Sequence, residues 1–248
     1  MERYPNGHVF RYTSQGRKAF FFKDYTSLNL YLTYNDTSNL LLCEGIPIRG
    51  SPDSGYELIK SIDIDVIEKE GFVNFIKSIV SNVSIIFYRN NSQLYLSSDR
   101  ASAGRMYYRY INRGIAFSSS FSLLMLLGSC TLNYKAIYSI LKYGVVPPPL
   151  TLCKEIYAIP PAHYALINLN KMEISYSPYF KFLFSEEHGF NLSRLNDILD
   201  AISSILVDLN GALLLSGGVD STLLACKMNE QSSKKLNAYF LALDKDDP

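Results

Sequence analysis

The chain has no tryptophan, and only three histidines and four cysteines among its 248 residues. Cys43, Cys130, Cys153 and Cys226 lie far apart, form no CxxC pair and each sit in apolar sequence. Buried reduced thiols are therefore expected rather than disulfides or a metal site. His8, His163 and His188 are equally scattered, so zinc ligation from them is not expected. An excess of one charge is missing too. Lys and Arg number 24 against 23 Asp and Glu, a net +1, which offers no footprint for nucleic acid or an anionic membrane surface. No apolar run is long. The richest, Phe121 to Leu127, is much too short to span a bilayer, and the opening residues contain no signal-peptide core. A cytoplasmic protein with neither a nucleic-acid nor a membrane partner is the expectation.

What is present is a folding composition: 48% hydrophobic and 19% charged residues, with 19 tyrosines and 14 phenylalanines. Residues 1 to about 62 read as strands between polar turns. Lys18–Lys23 is aromatic, Leu28–Tyr34 alternates with period two, and Asn39–Cys43 reads as a buried strand. Asn35-Asp36 and Ser51–Gly55 are turn or loop chemistry. From Asp65 to Val80, apolar residues recur at helical spacing, interrupted at Gly71. Two hairpins follow. Val83–Tyr88 pairs with Leu94–Leu96 across Asn90-Asn91, and Met106–Ile111 pairs with Ile115–Ser118 across Asn112-Arg113-Gly114. Phe121–Leu127 and Asn133–Lys142 read as helices, the second stopped by Gly144 and then Pro147-Pro148-Pro149. Strands fill Ile156–Phe184, and Ser185–Gly189 reads as a linker.

Beyond the linker, Ser193 caps an amphipathic helix whose stripe is Leu195, Ile198, Leu199, Ile202, Ile205, Leu206 and Leu209, ended by Asn210-Gly211. Ala212–Leu215 is an apolar run expected to form a parallel strand covered on both faces. It leads into Ser216-Gly217-Gly218-Val219-Asp220-Ser221-Thr222. The two glycines let backbone N–H groups approach an anion, Asp220, Ser221 and Thr222 supply N-cap chemistry, and a new helix aims its positive end at the turn. This is a phosphate cradle, though not a Walker A loop, because no Gly-Lys-Ser/Thr follows. Leu236–Leu243 reads as a second buried strand. Helix, strand, helix, strand is the opening of a doubly wound parallel sheet, with the loop at a strand's carboxyl end.

The loop resembles the Ser-Gly-Gly-x-Asp-Ser pyrophosphate loop of the ATP pyrophosphatases, which split ATP between its α and β phosphates and adenylate a substrate. The first half resembles the glutaminase-type domain of class B asparagine synthetases. Asp99-Arg100, Met106-Tyr107-Tyr108 and Ile115 to Leu124 follow that family's Asp-Arg-x-Gly-x-x-Pro-Leu-Tyr-Tyr and Phe-Ala-Ser-Glu segments. Tyr134–Gly144, Val146-Pro147-Pro148, Thr151-Leu152, Ile156 and Ile159 to Tyr164 follow its pattern for the end of the domain. The resemblance covers roughly residues 60 to 248. It implies residues 1–185 as an α+β Ntn-glutaminase-like sandwich of antiparallel sheets. Residues 186–248 would then be the start of an α/β doubly wound, adenine nucleotide alpha hydrolase-like synthetase domain, its first β-α-β portion.

There are departures. The family often has Gly where Ser102 and Ala162 stand, and Pro where Arg105 stands. Its glutamine-using members carry Cys directly after the initiator Met; this chain has Glu2. Loss of glutaminase activity is expected, with Cys43 a structural thiol. In this respect the chain is similar to β-lactam synthetases and lasso-peptide cyclases, which adenylate a carboxylate and close an amide with an amine. The resemblance implies ATP and Mg²⁺, with a carboxylate and an amine as substrates, a peptide among them. Ser216, Gly217, Gly218, Val219, Ser221 and Thr222 would hold the β and γ phosphates, Asp220 would bind Mg²⁺, and the backbone at Leu215 and Leu241 would frame adenine. Taken alone, Asp220 reads as a helix N-cap, and Leu215 and Leu241 as core residues. The sequence stops after the second strand of this portion, so a fragment, inactive alone and needing a further C-terminal domain or a protein partner, is expected.

Overall fold

The computed structural model describes the backbone of residues 2–4, 7–14, 17–23, 30–35 and 39–240, apart from 52, 61, 63, 90–91, 102, 113, 183–188, 190 and 210, and side chains from residue 40 onward. The turns at Asn35-Asp36 and Asn90-Asn91, most of the Ser185–Gly189 linker, and Leu241 thus fall wholly or partly outside the described residues. Backbone contacts divide the chain into two units, one of residues 1–48 and 59–182, the other of residues 49–58 and 183–248.

The first unit holds two sheets, each of six strands among the described residues. One runs β1 (Glu2–Tyr4), β2 (Gly7–Ser14), β3 (Arg17–Lys23), β11 (Gly114–Ser118), β10 (Tyr107–Ile111), β12 (Ile156–Ala158). The other runs β14 (Glu173–Pro178), β13 (His163–Asn168), β9 (Gln93–Ser97), β8 (Ser84–Arg89), β5 (Asn39–Glu44), β4 (Leu30–Asn35). The second sheet is antiparallel throughout. The first departs from the expected antiparallel pattern at one place, where β3 and β11 run parallel with Phe21 opposite Phe117.

Period-two alternation explains the layering. Leu42, Ile86, Leu96 and Ile167 from one sheet meet Tyr108, Ile115 and Phe117 from the other in a common core. The intervening residues Leu41, Cys43, Ile85 and Phe87 point the opposite way, onto α1 (Ile64–Glu70) and α2 (Phe72–Ser78). On the far face of the first sheet, Ala116, Cys153 and Ile156 pack with Leu124 of α3 (Phe121–Met125). The result is a helix, sheet, sheet, helix stack. It explains why β8 is apolar without alternation: both of its faces are covered. Each fully buried side chain, such as Phe75, contributes about 1.5–3 kcal/mol.

The helical pattern of Asp65–Val80 is two helices, parted at Gly71 with φ 80° and ψ 140°. The helix expected from Asn133 is α4 (Tyr134–Tyr143). Asn133 Oδ1 accepts the Lys135 N–H, and Gly144 closes the helix in the left-handed region at φ 74°.

The cysteine expectation fails at three of four positions. Cys130, which is exposed, is joined to buried Cys153 in a disulfide, and Cys226 is exposed; only Cys43 is the buried thiol expected. The pairing spans 23 residues without a motif, so nothing in the sequence signals it.

β6 (Ile48–Ser51) and β7 (Gly55–Leu58) pair on either side of the expected Ser51–Gly55 turn, in the part of the chain expected to be strands between polar turns. Helix α5 (Leu192–Asp208) is capped two residues before the expected position: Asn191 Oδ1, not Ser193, accepts the Arg194 N–H at 3.0 Å. β15 (Leu213–Leu214), α6 (Val219–Gln231) and β16 (Ala238–Tyr239) complete the second unit, with the two strands parallel. Among the described residues, no helix is long and apolar enough to cross a membrane.

Candidate functional site

The phosphate-type loop joins β15 to α6. Leu213 N–H donates to Asn237 O at 2.9 Å and Leu215 N–H to Tyr239 O at 2.8 Å, which fixes the strand end ahead of the turn. Gly217 takes φ 76°, a conformation that a side chain resists, and a Cβ there would meet nothing within 4 Å. The backbone is therefore left-handed beside open space.

The Ser216 and Ser221 hydroxyls lie 3.1 Å apart. Ser221 Oγ donates to Gly218 O at 3.1 Å and accepts the Ser216 N–H at 3.3 Å. This latch joins the two ends of the loop. The first helical bond is Thr222 N–H to Gly218 O, so the N–H groups of Val219, Asp220 and Ser221 precede the ladder, and Gly218 provides no side-chain cap. Asp220 is then not the N-cap that its sequence suggested; it is the second residue of α6, with its side chain exposed. Orphan donors, hydroxyls and one carboxylate gather on a single turn, a donor set that suits a polyphosphate and a hard cation.

One feature of the strand differs from the reading of the sequence. The strand is not covered on both faces: Leu213 is buried, while Leu214 is 80% exposed and Tyr239 and Phe240 are 60% and 70% exposed. Leu215 is half-buried, and Leu241, the other expected adenine-framing position, lies outside the described residues. Behind the loop, Lys227 of α6 meets Asp200 of α5 at 2.9 Å, and that contact raises the lysine pKa above its usual value.

In the first unit, the Asp99-Arg100 segment is a structural knot. Asp99 is buried, and its carboxylate accepts N–H groups from Ala101 at 2.9 Å, Ala103 at 3.1 Å and Gly104. A Cβ on Gly104 would come within 3.3 Å of that carboxylate and 3.2 Å of Ser84 Oγ, so glycine is needed for the close approach. Arg100 donates to Lys77 O at 2.7 Å and stacks 4.1 Å over Phe180. Tyr179 donates to Ser98 O at 2.7 Å, and burial raises its pKa.

Residues 64–180 match the family model of a glutamine amidotransferase domain. The matched stretch is thus similar to a glutamine amidotransferase domain, and it holds the knot, both hairpins and α4. No curated protein matches the chain. Among solved structures, glutamine phosphoribosylpyrophosphate (PRPP) amidotransferase from B. subtilis, complexed with ADP and GMP, is similar at 7% identity and a TM-score of 0.36. That match covers 87% of this chain and 49% of that one, so the chain spans about half the length of that structure.

Among the described residues of the matched stretch lies a groove of about 650 Å³ that the sequence did not signal. Arg105, Tyr107, Phe121, Ile140, Val146 and Leu152 line it. Its residues come from β10, α3, α4 and the turn after α4, and only the fold gathers them.

Proposed function

We propose that this chain belongs to an ATP-dependent amide-forming ligase that adenylates a carboxylate, releases pyrophosphate and passes the acyl group to an amine without hydrolysing glutamine. The observation that carries this reading is the turn from β15 into α6, with its left-handed glycine, latched serines and uncapped N–H groups on one surface. In this reading the N–H groups of Gly218 to Ser221 and the hydroxyls of Ser216, Ser221 and Thr222 hold the β and γ phosphates. Leu215, and with it Leu241, frames adenine through the backbone. Asp220 is the metal ligand. Mg²⁺ held there would supply positive charge to offset that on the departing pyrophosphate. These residues are preorganised by the Ser216–Ser221 latch, so the donors need not reorder as charge develops.

The absence of glutamine hydrolysis is part of this proposal and follows the resemblance to β-lactam synthetases and lasso-peptide cyclases. A second reading, glutamine-fed amide synthesis, is favoured by the amidotransferase match over residues 64–180. Release of glutamate from glutamine by the protein would select it over the first.

The direct test is calorimetric titration of the full chain with ATP in the presence of Mg²⁺. Saturable binding is expected, weakened about tenfold or more by Asp220→Ala as charge pairing through the metal is lost. No binding, or equal binding by wild type and variant, would overturn the assignment of the loop.

A further inference from the structure

We propose that Cys130, Cys153 and Glu155, once the disulfide between the cysteines is reduced, form a binding site for Zn²⁺ with two thiolates, one carboxylate and an open fourth position. The ligand atoms of these three residues all lie within 4.8 Å of one another. Around a tetrahedral ion with sulfur at about 2.3 Å, two sulfurs stand about 3.8 Å apart, a distance within that span. Cys153 Sγ already lies 3.1 Å from Glu155 Oε2, and the Cα atoms of the cysteines are 5.2 Å apart. Three protein ligands and a free position are the arrangement of an open zinc site.

The frame that holds these ligands does not depend on sulfur. Residues 131–133 and 152–154 are tied by an antiparallel bridge, Leu132 to Cys153. Asn133 N–H donates to Leu152 O and Lys154 N–H to Thr131 O, both at 2.9 Å. The Thr131 N–H donates to Glu155 Oε2 at 2.9 Å and orients the carboxylate. Cys153 N–H donates to the Thr151 hydroxyl at 3.1 Å, and its side chain is anchored in the core beside Leu124 and Ile156. Opening the disulfide frees one ligand arm, the exposed Cys130, while the other two stay in place.

Charge is compatible with the reduced, metal-bound form. The buried Arg109 guanidinium donates to Ser129 O at 3.1 Å, one residue before Cys130, and to Leu124 O at 2.8 Å. Two thiolates, one carboxylate, Zn²⁺ and this guanidinium sum to zero, so the metal-bound site carries no unpaired charge.

The chemistry balances with a dithiol as reductant. Its two thiols become a disulfide, and two electrons and two protons pass to the Cys130–Cys153 bond, which breaks to two thiols. Those thiols release their protons to solvent as they coordinate. The exposed Cys130 sulfur is where the attacking thiolate can reach.

The test is titration of the dithiol-reduced full chain with Co²⁺, followed by its sulfur-to-cobalt charge-transfer absorption, and then displacement by Zn²⁺. One equivalent is expected to give the band in the reduced chain and none in the oxidised chain. Cys130→Ser, at an exposed position, is expected to abolish it, and Glu155→Gln to weaken binding about tenfold or more. In parallel, Zn²⁺ should slow alkylation of Cys130 and Cys153 but not of the exposed Cys226. A reduced chain without the band, or a band that survives Cys130→Ser, would overturn the proposal.

Discussion

Ala162 sits at φ 58°, in the left-handed region, with its N–H on Asp99 O at 2.8 Å and its carbonyl accepting from Tyr179 at 2.9 Å. This explains a departure visible in the sequence, since the resembled family often has glycine there. The backbone is fixed by its bonds, and alanine is held at a conformation costing about 1 kcal/mol or more. Ala162→Gly recovers that strain but gives the unfolded chain more freedom, so a net stabilisation of about 0.5 kcal/mol is expected in urea unfolding. Loss of stability would mean that the methyl group's packing outweighs the strain.

Among elements, the loop from Asp99 to Gly104 is the clearest case of a polar group organising backbone. Three N–H groups converge on one buried carboxylate, and hydrogen bonds to a charged acceptor are the strong ones. Asp99→Ala is expected to cost about 3–4 kcal/mol, measured as a lower urea midpoint at unchanged slope. The same element shows what sequence can and cannot reveal. Asp99-Arg100 and Gly104 are legible as a polar loop, but the convergence on Asp99 depends on chain direction that no local pattern encodes. Helix α4 was legible at both ends because Asn133 and Gly144 act through their own backbone. The β6–β7 hairpin was legible through its turn at Ser51–Gly55 but not in its strand bounds, because the strands are short and partly polar. In the loop before α6 the residues were legible, while Asp220's place inside the helix was set by Gly218 taking the extended conformation. The Cys130–Cys153–Glu155 group was invisible, since the bridge that gathers it forms only with the fold.

For the molecule as a whole, the buried tyrosines make stability fall at alkaline pH. Burial raises the pKa of Tyr108, aided by its hydroxyl contact with Tyr176, and burial likewise raises Tyr176 and Tyr179; contact with Asp200 raises Lys227. Each of these groups binds its proton more tightly folded than unfolded. Their stabilisation is complete below the unfolded values, 10.0 for tyrosine and 10.5 for lysine, and is lost as pH climbs through the higher folded values. Unfolding free energy should therefore hold level from pH 7 to about 9 and fall above about 10, with tyrosinate absorbance for these side chains rising only as the protein unfolds. Full tyrosine ionisation in a protein still folded would contradict this. Topology imposes a different demand, on time. The parallel partner of β3 is β11, about a hundred residues further along the chain. At a translation rate of roughly 5–20 residues per second, the first ribbon of strands leaves the ribosome about 5–20 s before the strand that covers its edge. For that interval a nascent chain of this protein presents an unpaired, aromatic-rich strand to its surroundings, which is the kind of surface that chaperones engage.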